Sequence, residues 1–441
     1  MKTFLRIIGA LIVVCLAALL AFIFVPVQRT APTEELAADW TPEAGQGEYV
    51  MYASDCMACH TAEGGEPFAG GRSILSPMGT IWATNITPDK ETGIGNWTLD
   101  DFRAALYDGL TPDGRHLYPA MPYENYRKLT EEDVRALYDY FMNEVPAVNN
   151  PVEATALSFP FNMRFGIRAW NWIALSDPAG SAYEQSTPQE RGRYLVESAG
   201  HCGACHSPRN VFMGQDGLTA DDANFLKGGE VDGWLAPALM GEGSAAATWP
   251  VGEIATYLAT GRNSHSTANG EMSMVVEHSL QHLTDEDNLA IAAFLKGEDV
   301  GEATLLGTDL ALEEAENDHP TTTMLTEAKD LSEGARLYLD NCNACHFVTG
   351  KGAPEIFPEL AGNSLVTADQ TGPLIGIILH GAEVPSTEKR PMRLVMQGYA
   401  ERLTDEEVAE VASFLRTAWG NDAPAVTAAD VAKVRAADSA H

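Results

Sequence analysis

A five-residue pattern, Cys-x-x-Cys-His, occurs three times in this 441-residue chain. The copies are Cys56-Met57-Ala58-Cys59-His60, Cys202-Gly203-Ala204-Cys205-His206 and Cys342-Asn343-Ala344-Cys345-His346, starting 146 and then 140 residues apart. With 7 cysteines and 11 histidines in the whole chain, one such pattern is expected by chance about 0.003 times. The chain must therefore build three sites of one kind. Six of the cysteines are used up in the patterns, which leaves no material for a disulfide framework.

The surroundings repeat as well. Ahead of each copy a short helical stretch carries Gly and Tyr: Gly47 and Tyr49, Gly192 and Tyr194, Gly334 and Tyr338. Well after each copy comes a helix start of one design, Leu129-Thr130-Glu131-Glu132-Asp133, Leu283-Thr284-Asp285-Glu286-Asp287 and Leu403-Thr404-Asp405-Glu406-Glu407. Thr is the expected N-cap, the acid three residues on completes a capping box, and the acids complement the helix dipole. Apolar residues then recur with helical period, as in Val134, Leu137, Tyr138 and Phe141 or Val408, Val411, Ala412 and Leu415. The second copy is weaker, with Asn288 ahead of Ile291, Ala292 and Leu295. No long stretch alternates with period two. Each unit reads as helix, cluster, loop-rich stretch and closing helix, so the chain is expected to be mainly α.

Two cysteines three apart on one helical turn suit addition to the two vinyl groups of a haem, with the adjacent His projecting to the iron. Zinc would want four ligands, usually two such pairs, and a thioredoxin-type redox pair would want a β-α-β setting. Neither context is present. The covalent attachments are thus expected at Cys56, Cys59, Cys202, Cys205, Cys342 and Cys345, with His60, His206 and His346 as proximal ligands. A sixth ligand must come from the loop before each closing helix. Met121 is well placed in the first unit, with Met78 and His116 competing; Met272 and Met274 compete in the second, Met392 and Met396 in the third. Spacing alone does not choose among them.

Residues 7–25 carry no charge, and as a helix they span roughly 28 Å, close to the hydrocarbon thickness of a bilayer. Pro-Val-Gln-Arg follows instead of a small-x-small cleavage site, so an uncleaved anchor is expected, with Cys15 as a small apolar residue inside it. Lys2 and Arg6 keep the N-terminus cytoplasmic and the body is exported. The net charge is −34, from 62 acidic against 28 basic residues. Such a surface repels phosphate, which excludes nucleic acid as a partner and argues against a broad electrostatic footprint on anionic lipid. Residues 145–160 are punctuated by Pro and Asn and run into Phe159, Phe161, Phe165, Trp170 and Trp172, interleaved with Arg164 and Arg168. That stretch reads either as cement between the first two units or as part of a docking face for a partner.

The chain resembles the triheme cytochrome c subunits of membrane-bound bacterial dehydrogenases that oxidise alcohols, gluconate or sorbitol. The resemblance rests on Thr84-Asn85-Ile86-Thr87-Pro88, Thr92-Gly93-Ile94-Gly95, Leu117-Tyr118-Pro119-Ala120-Met121-Pro122-Tyr123, Cys202 to Arg209, Phe357-Pro358-Glu359-Leu360-Ala361-Gly362-Asn363-Ser364 and Trp419-Gly420-Asn421. It implies three tandem cytochrome c domains at 40–144, 181–297 and 327–420, behind an anchor or signal at 1–29. An aromatic-rich linker at 145–180, an acidic linker at 298–326 and a tail at 421–441 complete the chain. The family pattern falls on Met121, Met272 and Met396 as axial ligands. Gln397, where the family usually has Pro, leaves Met392 in competition. The resemblance further implies three haem c groups and a catalytic dehydrogenase partner using quinone, flavin or molybdenum. Electrons would pass to ubiquinone or the respiratory chain, on the periplasmic side of the inner membrane. The alternative is a donor to a terminal oxidase or periplasmic reductase. No Gly-x-Gly-x-x-Gly follows a strand, and no base–nucleophile set stands out among His116, His201, His265, His278, His282, His319, His380 and His441. Substrate oxidation is expected on the partner.

Overall fold

The computed structural model describes residues 2–37, 39–178, 180, 183–231, 234–306 and 319–438. Residues 307–318 of the acidic linker and residues 439–441, including His441, lie outside the described residues. A long apolar helix, α1 (Lys2–Phe24), opens the chain, and its Arg6–Phe24 stretch is buried nowhere in the body. The first unit follows, with α2 (Gln46–Ala53), α3 (Cys56–His60), α4 (Leu99–Asp108), α5 (Tyr123–Tyr126) and α6 (Glu131–Asn143). The aromatic linker contains a helix of its own, α7 (Phe165–Ala174). The second unit has α8 (Pro188–Glu197), α9 (Gly203–His206), α10 (Ala245–Thr248), α11 (Val251–Thr260), α12 (Glu271–His278) and α13 (Asp285–Lys296). The third has α14 (Pro320–Glu327), α15 (Glu333–Asn341), α16 (Asn343–His346), α17 (Ser364–Thr367), α18 (Gly372–His380), α19 (Asp405–Thr417) and α20 (Ala428–Asp438). Each unit also carries one two-stranded antiparallel ribbon: Ser73–Ile74 with Ile81–Trp82, Gly229–Val231 with Trp234–Ala236, and Gly381–Glu383 with Val395–Gln397.

In every unit the helix before the cluster packs on the closing helix, and a glycine sits at the contact. A Cβ on Gly47 would stand 2.3 Å from the carbonyl oxygen of Ala136, on Gly192 2.0 Å from that of Ala290, and on Gly334 2.3 Å from that of Glu410. Backbone approaches backbone there, and no side chain fits. The pairs α2/α6, α8/α13 and α15/α19 thereby frame three similar bodies.

The first two bodies share one hydrophobic core, running from Val50 and Met51 through Leu137 and Phe141 to Leu195, Ile254 and Ile291. The third has its own, around Tyr338, Ile375, Val408 and Leu415. A reciprocal exchange of tyrosines joins the first two. Tyr49 donates to Asp287 Oδ2 at 2.5 Å and accepts from the Thr284 amide. Tyr194 donates to Asp133 and accepts from the Thr130 amide. Each unit thus holds the start of the other's closing helix, and Asp287 is steadied from within its own unit by an ion pair to Arg191 at 2.7 Å.

This changes two expectations. Thr130, Thr284 and Thr404 all N-cap their helices, but the reciprocal box is complete at Thr404–Glu407, whereas Asp133 and Asp287 turn to the neighbouring unit. Tyr338 is also no counterpart of Tyr49 and Tyr194. It is fully buried and donates to the carbonyl of Phe347 at 2.5 Å, while Arg336 occupies the matching position two residues after the glycine.

The third body meets the second through polar contacts. The amides of Glu355 and Glu359 donate to the carbonyls of Asn263 and His265 at 3.0 Å each; Arg393 pairs with Glu277 at 2.8 Å and Lys389 with Asp285 at 2.9 Å. The segment expected as a tail instead closes this body. Helix α20 packs on α18 and α19 with Val431 buried, and Arg435 donates to the carbonyls of Ala400 and Leu403.

Candidate cofactor sites

The three Cys-x-x-Cys-His clusters fall on the short helices α3, α9 and α16, each entered from the glycine-bearing helix of its unit. Their histidines share one arrangement. Nδ1 of His60 donates to the carbonyl of Thr84 at 2.6 Å, that of His206 to Pro237 at 2.7 Å, and that of His346 to Pro358 at 3.1 Å. A carbonyl can only accept, so the bond fixes the tautomer and leaves Nε2 with its lone pair free. Burial pushes all three imidazoles below the usual histidine range, against the carbonyl bond that raises them. The neutral form is the ligand form.

None of the six motif cysteines is tied up in a disulfide. Burial pushes Cys59, Cys202 and Cys342 up to about 12 each, so they stay as S–H, the group that adds across a vinyl bond with no atom left over. Cys205 lies near enough to Cys59 to oppose its ionisation, so the first two clusters are neighbours across the joint core.

The methionines divide by environment. Met121 and Met272 are half-buried and pack on the same core as Cys56 and Cys202. Met396 packs on the third core with Cys342, where its strand position pairs with Ala382. The competing methionines differ from them in their surroundings. The sulfur of Met274 accepts from Arg72 of the first unit at 3.0 Å, Met392 is 68% exposed, and Met78 sits in a turn whose carbonyl accepts from Ser158. Arg72 also pairs with Glu271 at 2.9 Å, so the first unit holds both ends of the turn that carries Met272. One neutral imidazole, two thiols on a turn and a thioether in the same core, three times over, is a donor set that fits covalently held haem.

Sequence reasoning passed over several features of the sites. The carbonyls of Thr84, Pro237 and Pro358 carry no residue-type signal, because any backbone offers one. Helices α4, α11 and α18 were hidden inside the loop-rich stretches, although the Thr98–Asp101 capping box and Pro250 and Pro373 mark their starts. The remaining histidines occupy different surroundings. His319 does cap α14. His116 is buried with Nδ1 unpartnered, and His201 lies edge-on to Tyr126 across the joint between the first two units, its imidazole pushed down to about 4 by burial.

A family model for cytochrome c matches residues 44–143 and 331–419, the first and third bodies, and so defines the class. The curated relatives narrow it. The cytochrome c subunit of the quinone alcohol dehydrogenase of Gluconobacter oxydans is 41% identical over 397 residues, covering 88% of this chain and 81% of the relative. The cytochrome c subunit of gluconate 2-dehydrogenase from Pantoea cypripedii is 40% identical, covering 88% and 89%. The cytochrome subunit of fructose dehydrogenase from Gluconobacter japonicus is 37% identical, covering 92% and 86%. The chain belongs to this family of dehydrogenase cytochrome c subunits. Membership implies covalently bound haem c and electron transfer.

Proposed function

We propose that this chain is a triheme electron-transfer subunit that takes electrons from a catalytic dehydrogenase and delivers them to ubiquinone, anchored by α1 in the inner membrane with its body in the periplasm. The three domains are 40–144, 181–297 and 327–420. Haem, when bound, supplies one-electron chemistry. The chain's own residues hold and orient it: Cys56/Cys59, Cys202/Cys205 and Cys342/Cys345 as thioethers, and His60, His206 and His346 through Nε2 with Nδ1 tied to a carbonyl. Met121, Met272 and Met396 complete the irons. A Met thioether and a His imidazole as the two protein ligands would raise the potential of the bound haem. The burial of each cluster in an apolar core acts in the same direction.

The observation that carries this reading is the repetition itself: one histidine–carbonyl bond, one cysteine pair and one core-packed methionine in each of three bodies. Mass spectrometry of the mature chain is expected to show three haem additions that survive denaturation, and Cys205→Ala is expected to disturb the middle one alone. Fewer than three in fully matured protein refutes the count. Met396→His should lower one potential and remove one share of the iron–thioether band. If Met392→His does so and Met396→His does not, the third ligand is misassigned.

A further inference from the structure

The body does not hang from α1 by a loose tether. Arg168 of α7 donates through Nη1 to the carbonyls of Phe22, in the last turn of α1, and Val25, just past its end, at 2.6 and 2.7 Å, a place where helix carbonyls run out of helical partners. The Arg168 guanidinium lies over the ring of Phe22, 5.3 Å from its centre, and Phe22 meets Trp172 edge-on at 5.1 Å. The chain leaving α1 is then fastened to the first unit. Thr30 bonds both carboxylate oxygens of Asp108 at 2.8 and 2.6 Å, and Arg29 pairs with Asp101 at 2.8 Å. The end of α1 and helix α7 thus lie at one level.

At that level the surface is apolar. Phe159 is 77% exposed, Trp172 69% and Ile173 58%, and Phe161 and Phe165 are also exposed. The patch continues onto the second unit. Trp170 donates to the carbonyl of Phe212 at 2.9 Å, and the loop it holds presents Val211, 91% exposed, with Phe212 and Met213. In a chain with more than twice as many acids as bases, residues 159–175 and 209–215 contain no acid and include Arg164, Arg168 and Arg209. An apolar strip rich in Trp and Phe and edged by Arg has the chemistry of the boundary between lipid headgroups and acyl chains.

We propose that α7 and the 211–213 loop form a membrane-seating surface that lies in the headgroup layer of the bilayer α1 crosses, holding the first two units flat against the membrane. This rests on α1 being an anchor. The occupant is the lipid surface, because the patch is continuous with the end of the membrane helix and is stripped of the negative charge that covers the rest of the chain.

The test uses the full haem-loaded chain with Cys15→Ala, in its air-oxidised form, in vesicles of phosphatidylethanolamine and phosphatidylglycerol. A nitroxide is attached after Val211→Cys, Ile173→Cys or Lys329→Cys, all at exposed positions. An unchanged visible spectrum verifies folding. Collision with oxygen relative to a water-soluble nickel complex is expected to be several-fold higher at the first two positions than at the third. Labels at 211 and 173 that are as aqueous as at 329, on protein that floats with the vesicles, overturn the seating surface and leave the anchor standing. Failure to float overturns the anchor and the proposal together. Labels that are aqueous in vesicles but shielded in the native complex give the patch to the dehydrogenase and overturn the proposal.

Discussion

Two glycines of the third body should respond to the same substitution with opposite sign. Gly376 lies inside α18 with nothing within 4 Å of where a Cβ would stand, so Gly376→Ala should stabilise by up to about 1 kcal/mol through helix propensity and reduced freedom of the unfolded chain. Gly334 lies in α15 against α19. A Cβ there would meet the Glu410 oxygen at 2.3 Å and the Phe414 Cβ at 2.8 Å, so the helices must part by roughly 0.7–1 Å to clear it, an overpacking that costs about 1–3 kcal/mol. Setting the propensity gain against it leaves Gly334→Ala up to about 2 kcal/mol less stable. For a body of this size each kcal/mol moves the midpoint by about 4–8 °C. Calorimetry of the full chain should therefore show one transition that rises a few degrees in Gly376→Ala and falls by up to roughly 15 °C in Gly334→Ala. A Gly334→Ala protein as stable as wild type, or more so, refutes the idea that the glycine exists to let the two backbones touch.

Glu124 is buried at the joint between the first two units. Burial lifts its carboxyl from 4.5 to about 7, against Arg209, the Gln215 amide and Lys128. The folded state favours the protonated acid, so its contribution is fully present below about pH 4.5 and is lost as pH rises through about 7, by up to about 3 kcal/mol; in unfolding titrations Glu124→Gln should flatten that slope. Tyr49→Phe and Tyr194→Phe should each cost about 1–3 kcal/mol, because each leaves a carboxylate at the joint, Asp287 buried and Asp133 half-buried, short of a donor. Both should weaken the transition of the shared core and leave the third body's midpoint unmoved. Arg416 is fully buried and donates to the carbonyls of Pro424, Val366 and Ala368; Arg416→Met should lower the third body's midpoint by more than Gly334→Ala does.

How much of this was legible in the sequence follows from where each contact is encoded. The clusters, the glycines ahead of them and the closing helices were visible, because a thiol pair, a missing Cβ and a 3.6-residue period are properties of residue type. The second closing helix looked weak because Asn288 stands where Val134 and Val408 stand in the others. The structure buries that amide completely, bonded to the carbonyl of Leu280, so the break in the pattern is a polar staple within a normal helix. Spacing could not choose among the candidate methionines, and their surroundings are set by distant contacts. What separates Met272 from Met274 is an arginine some 200 residues away, and what separates Met396 from Met392 is which of them faces a core. The direction of Asp133 and Asp287 was equally hidden. A capping-box acid looks the same in sequence whether it serves its own helix or a neighbour's tyrosine.

That last difference divides the molecule. In the first two units the third acid of the closing helix leaves its own cap and bonds across the joint, so neither unit can leave the other without stripping a Tyr and a carboxylate of their partners. In the third unit Glu407 stays with Thr404, at 2.8 Å to its amide, and Arg336 points to solvent where a tyrosine would otherwise reach across. The third body is then complete on its own, with its own core. The ion pairs that join it to the second, Arg393–Glu277 and Lys389–Asp285, are half-exposed and of the kind that salt screens and that contribute little individually. Separation therefore costs least between the second and third bodies. The first two, welded to each other and stitched to the end of α1, move as one.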